Sequence, residues 1–195
     1  MEATDATSRP TLVVAHGHGS DAATAAALAG GIDPDGRADH VTPEGPVPVD
    51  GAHRAWFEGG SAESIRHGAE VLRAALAASE AGAPRVVVGW SQGGAAALAA
   101  LATPGAPTVD ALVLLGAFLA DAPGLDYDLS LLAGTQVLIQ HGEHDDVVPS
   151  FFAEDLATTL RAVGVTVELQ LVPLGHELDR AAVAAVATWV GERWS

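Results

Sequence analysis

The chain has no cysteine, so disulfides and thiolate metal sites are excluded and the redox compartment stays open. Lysine is also absent. Arginine supplies all 9 basic side chains against 25 Asp and Glu, for a formal net charge of −16. Nucleic acid is therefore not expected as a partner, because phosphate binding needs clustered cations. An anionic membrane surface is disfavoured for the same reason. Aromatic residues are only 5% of the chain, so a core must be built of Ala, Val and Leu. No apolar run reaches the roughly 20 residues of a membrane span. Residues 1–9 are polar and small, without the basic-then-apolar order of a secretory leader, and are expected to be flexible. A cytoplasmic protein without stable membrane association is the expectation.

What is present is alternation. Short β-branched runs at 11–15, 39–42, 85–89, 111–115, 136–140 and 165–172 are separated by helical patterns at 21–28, 61–81, 95–101, 150–163 and 178–194. This order predicts one α/β domain over 1–195, a compact and mostly parallel sheet of about six strands covered on both faces. Residues 43–60, rich in Pro and Gly, read as an irregular surface loop holding Trp56 and Phe57. Phe151 and Phe152 read as core packing of the helix they open.

The strongest local signal is Gly89-Trp90-Ser91-Gln92-Gly93, a G-x-S-x-G sequence directly after a β-run and before a helix. A sharp turn there lifts a Ser hydroxyl to a helix N-terminus, where free N–H groups favour a developing anion. A hydroxyl needs a base to become a nucleophile. Downstream, two strands lead into candidate partners. One is His141-Gly142-Glu143-His144-Asp145-Asp146-Val147-Val148-Pro149. The other is Gly175-His176-Glu177-Leu178. His176 is the expected base. Asp145 is the favoured acid, with Asp146 as the alternative. The order Ser, acid, His is that of the fold in which this elbow occurs. Oxyanion donors are expected from the backbone N–H of Gln92 and of His18, in the loop His16-Gly17-His18-Gly19 after the first strand.

These pieces together resemble the phospholipase/carboxylesterase family of α/β hydrolases, which includes the acyl-protein thioesterases. The likeness rests on His16-Gly17-His18-Gly19, the Ser91-Gln92-Gly93-Gly94 run, the 141–149 run and Gly175-His176-Glu177-Leu178, in family order over about residues 11–194. It implies an α/β-hydrolase fold, hydrolysis of carboxylic esters or thioesters, and no cofactor. It also places the acid on Asp145 and likens Trp56-Phe57 to the family's aromatic pair. Position 18 departs from the family, where an apolar residue is usual.

The expected reaction is acyl transfer on a small-molecule ester through an acyl-enzyme, with short to medium acyl chains. Trp56, Phe118 and Leu119 are expected to line the substrate pocket. A thioesterase or lysophospholipase would use the same triad, whereas a non-catalytic binding protein on this fold should have lost one member. His16, His18, His141 and His144 could suggest a metal, but no cysteine and no helical His pair supports one, so no metal is expected. His16 and His141 read instead as ties between loops. The oligomeric state is open, a homodimer being compatible.

Overall fold

The computed structural model describes residues 8–79 and 82–194. Residues 1–7, and Ala81 at the expected end of the long helix, lie outside the described residues. Arg9 is held by the carbonyls of Gly36 and Ala38 and by Asp39, 3.3 Å away.

The chain runs β1 (Thr11–Ala15), α1 (Ala22–Ile32), β2 (Asp39–Val41), β3 (Val47–Asp50), β4 (His53–Ala55), α2 (Ala62–Ala77) and β5 (Arg85–Trp90). It continues through α3 (Gln92–Leu101), β6 (Ala111–Leu115), β7 (Gln136–Gly142), α4 (Phe151–Ala162), β8 (Thr166–Val172) and α5 (Arg180–Gly191). Six strands form one sheet in the order β2-β1-β5-β6-β7-β8, and every pairing is parallel. The fold is that of an α/β hydrolase.

The pattern of the strands explains their place. β1 and β6 are buried at every residue, as a parallel strand covered on both faces requires. One core lies between the sheet and α2, α3 and α4, with Val13, Leu72, Leu98, Leu114, Ile139 and Leu160. The other lies under α1 and α5, with Leu12, Val14, Ala29, Val113, Val186 and Trp189. The helices start where side chains can cap them. Asp21, Ser61 and Asp179 accept from the N–H three residues on, in α1, α2 and α5. α3 is buried at all ten residues, and its run of Ala and Gly lets it press close to the sheet.

The structure departs from the sequence reading in several places. The stretch 43–60 contains the antiparallel hairpin β3–β4 and buries Ala55, Trp56 and Phe57, so it is not an irregular surface loop throughout. Helix α3 begins at Gln92, directly after the elbow. Phe151 and Phe152 are 51% and 42% exposed and stack on each other at 4.3 Å, because α4 turns Ala153, Leu156, Ala157 and Leu160 to the core instead. Among the described residues, no helix is long and apolar enough to cross a membrane.

Candidate active site

From β1 the chain builds outward to β2, then crosses back to β5 on the other side of β1. The loops after β1 and β5 therefore diverge, which opens a crevice at the carboxyl ends of these strands. Ser91 and His18 follow those two strands.

Ser91 has φ 52° and ψ −120°, the only non-glycine with positive φ among the described residues. Such backbone is strained and persists where surroundings enforce it. Its N–H donates to Leu115 O at 2.8 Å, and its carbonyl accepts from Gly94 and Ala95 as the first turn of α3. The neighbouring glycines are needed for space. A Cβ at Gly89 would fall 2.4 Å from Gly94 Cα, and one at Gly93 2.3 Å from Ala15 O.

His176 lies in the loop between β8 and α5. Its Nε2 is 2.9 Å from Ser91 Oγ and its Nδ1 2.7 Å from Asp145 Oδ2. Because a buried carboxylate only accepts, Nδ1 carries the proton and Nε2 is free to accept from the hydroxyl. Trp90 stacks beside the imidazole with centroids 6.1 Å apart. Gly116, at φ 53°, forms the floor. A Cβ there would stand 3.3 Å from His176 Cε1 and 3.6 Å from Asp145 Oδ2. Sequence reading did not single out Gly116, although its place one residue after β6 was a usable signal.

Asp145 is buried, and its Oδ1 accepts from the N–H groups of Val147 and Val148 at 3.0 and 2.7 Å. Burial pushes its carboxyl upward. The bonds from His176, Val148 and Val147 and the His176 charge outweigh that and hold it below the ordinary carboxylate value. Asp146 is exposed, so it is Asp145 that faces His176.

Gln92, the first residue of α3, has no carbonyl one turn back for its N–H to bond. The loop of His18 runs beside it. A Cβ at Gly17 would meet the Trp90 ring at 3.1 Å, and the Ala15 and His16 carbonyls abut Gly93. The His18 side chain is exposed. The Gln92 side chain has a role the sequence did not reveal: it accepts from Trp56 N and donates to Phe57 O, both at 2.8 Å. It thus pins the segment after β4 to the elbow.

This corrects the expectation for Trp56. The indole is fully buried and donates to His16 O at 2.8 Å, so it braces the loop after β1 and does not line a pocket. His16 accepts from Gly45 N at 3.0 Å and bonds Gly17 O at 2.7 Å, joining two loops. Burial drives its imidazole below the ordinary value, against the opposing pull of Gly17 O, Asp21 and Glu44. Phe118 and Leu119, just past Gly116, are half-buried against the core. His144 is exposed. A hollow of about 280 Å³ lies at the opposite sheet edge, among residues 101–109 and 131–135, and no titratable side chain lines it.

A parallel sheet with this crossover, carrying Ser, His and Asp in hydrogen-bonded series at its carboxyl edge, defines the class as α/β hydrolase. The family model for phospholipase/carboxylesterase matches residues 1–192, and the chain belongs to that family of ester and thioester hydrolases. Solved structures agree. A carboxylesterase from Mesorhizobium loti is 27% identical, with TM-score 0.80, covering 94% of this chain and 89% of its own. A Bacillus cereus carboxylesterase is 23% identical, with TM-score 0.78 and coverage of 96% and 90%. Zea mays acyl-protein thioesterase 2 is 21% identical, with TM-score 0.77 and coverage of 100% and 97%. The last two likenesses speak to the fold alone.

Proposed function

We propose that the protein is a serine carboxylesterase that hydrolyses short- to medium-chain carboxylic esters through Ser91, His176 and Asp145. The observation that carries this is the unbroken series Ser91 Oγ–His176 Nε2 at 2.9 Å and His176 Nδ1–Asp145 Oδ2 at 2.7 Å. His176 takes the Ser91 proton as Oγ attacks the ester carbonyl. The carbonyl π pair moves onto oxygen, and the N–H groups of Gln92 and His18 hold that oxyanion. Asp145 keeps the imidazole in register and stabilises its charged form without taking the proton. The tetrahedral adduct collapses, and His176 protonates the departing alkoxide. Water then attacks the acyl-enzyme by the same route and returns free Ser91 and a carboxylic acid. No cofactor enters any step. The carboxylesterase likeness at 27% identity favours an oxygen ester over a thioester as the substrate.

The test is Ser91→Ala. With p-nitrophenyl esters of increasing acyl length, kcat should fall by roughly 10⁴-fold or more. A fluorophosphonate should label the parent and not the variant. Retained activity, or labelling elsewhere, ends the reading. Thioesters and lysophospholipids in the same panel identify the leaving group.

A further inference from the structure

His141 is the last residue but one of β7 and its side chain is wholly buried. Its partners are reached through one nitrogen. Nε2 lies 2.7 Å from Val148 O and 3.3 Å from Asp145 Oδ2, both of which can only accept. Nε2 therefore carries a proton. Nδ1 is buried and has no hydrogen-bond partner. An unmet polar atom in a core is costly and uncommon, and an apolar side chain of similar shape would avoid that cost. What the ring provides in return is a single N–H aimed at the acid loop. That loop is the one whose Val147 and Val148 N–H groups hold the other Asp145 oxygen.

We propose that His141 is a positioning residue for Asp145: its Nε2–H clamps the Val148 carbonyl and faces Asp145 Oδ2, fixing the carboxylate against His176. The inference rests on the esterase reading for its kinetic consequence, though not for its geometry. Among the described residues, the ion-pair partner of the ring is Asp145. Glu143, His144 and Asp146 of the same loop, Glu154 and Asp155 of α4, Glu168 of β8 and Glu177 beside His176 are all exposed. Glu168 and Glu177 hold Trp189 Nε1 and Gly175 N instead. His176 reaches His141 only through the shared Oδ2. An N–H dipole facing a carboxylate spreads its charge. Removing it leaves a freer carboxylate that holds a proton on His176 more tightly.

The experiment compares His141→Leu with His141→Gln in the full chain. The Gln amide N–H falls near the place of Nε2, while Leu offers no donor. For Leu, kcat on a p-nitrophenyl ester should drop about 10- to 100-fold with KM little changed, the scale of a slightly misplaced catalytic group. The acid limb of kcat/KM should move to higher pH. Gln should restore most of kcat and return the limb. Wild-type kcat and limb in a folded Leu variant, or Gln as impaired as Leu, overturns the proposal. If Leu does not fold, His141→Asn replaces it. Its shorter amide cannot reach either acceptor, and an Asn variant as active as Gln overturns the proposal. A second readout needs no turnover. The His176 Nδ1 proton, followed by NMR, should shift or broaden in Leu and keep its position in Gln. An unmoved resonance in Leu refutes the clamp even if Ser91→Ala were to retain activity and the esterase reading failed.

Discussion

At the end of β5, Ser91 is placed by want of space. The backbone turns through φ 52° because the Ala15 and His16 carbonyls, Gly94 and Ala117 leave no room for side chains at residues 89, 93 and 94. At the end of β7, Asp145 is placed by polar partners: two backbone N–H groups, an imidazole N–H from His176 and the nearby His141. The first arrangement is steric and indifferent to pH. The second is electrostatic and titrates. One should fail when an atom is added, the other when a donor or a charge is taken away.

The largest break expected is in the polar region. Asp145→Asn should lower kcat by about 10⁴-fold, the usual cost of an amide in place of the acid of such a triad. Its nitrogen would have to face either a backbone N–H or the Nδ1–H of His176. Steady-state kinetics on a p-nitrophenyl ester measure this. The substitution also has a pH signature. A carboxyl held below its ordinary value stabilises the folded state above about pH 4, and that contribution is lost as pH falls through the lowered value. The Tm gap between parent and Asp145→Asn should be widest near neutrality and should narrow in acid. A gap that is constant with pH would assign the placing of Asp145 to shape alone.

Next comes the steric region. Gly93→Ala puts a methyl 2.3 Å from Ala15 O and 2.5 Å from His16 O, backbone atoms of the last residue of β1 and the first residue after it. Overpacking against backbone should cost about 3 kcal/mol, read by urea denaturation at two pH values and equal at both. A loss that varied with pH would blur the contrast between the two regions. The smallest effect belongs to Asp146→Asn. Its side chain is exposed one residue from Asp145, so stability should stay within about 0.5 kcal/mol and kcat should be unchanged. A loss like that of Asp145→Asn would shift the acid role to Asp146.

The elements that were legible were those whose pattern is local. The six strands read as short β-branched runs, and the elbow read because a strand, a Gly-flanked Ser and a helix follow one another within residues 85–101. Ser91, Asp145 and His176 could be read as neighbours because each follows a strand, and strand ends meet at one edge of a parallel sheet. What was not legible depends on residues far apart. Trp56 looked like a loop aromatic because its partners, the His16 carbonyl and the Gln92 side chain, lie 40 and 36 positions away. Gly68 in α2 makes room for the Trp56 carbonyl, and nothing in the helical pattern announces it. The hairpin β3–β4 was missed because Pro and Gly dominate its stretch and most of its strand residues are exposed. Phe151 and Phe152 misled in the opposite direction: bulk alone says core, whereas the helical period of α4 assigns that face to smaller residues.

Every strand pairing in the main sheet is parallel, so no two of its neighbours can be joined by a tight turn. β1 must wait for β5, some seventy residues later, before it gains its second neighbour. The crevice thus exists only after synthesis has passed β5, and the hydrogen-bonded series Ser91–His176–Asp145 only after the chain has delivered the loop beyond β8. Nascent fragments will present helices and apolar strand edges with no chemistry attached. Recovery of esterase turnover during refolding would then mark the closing event of assembly, trailing the return of helical signal.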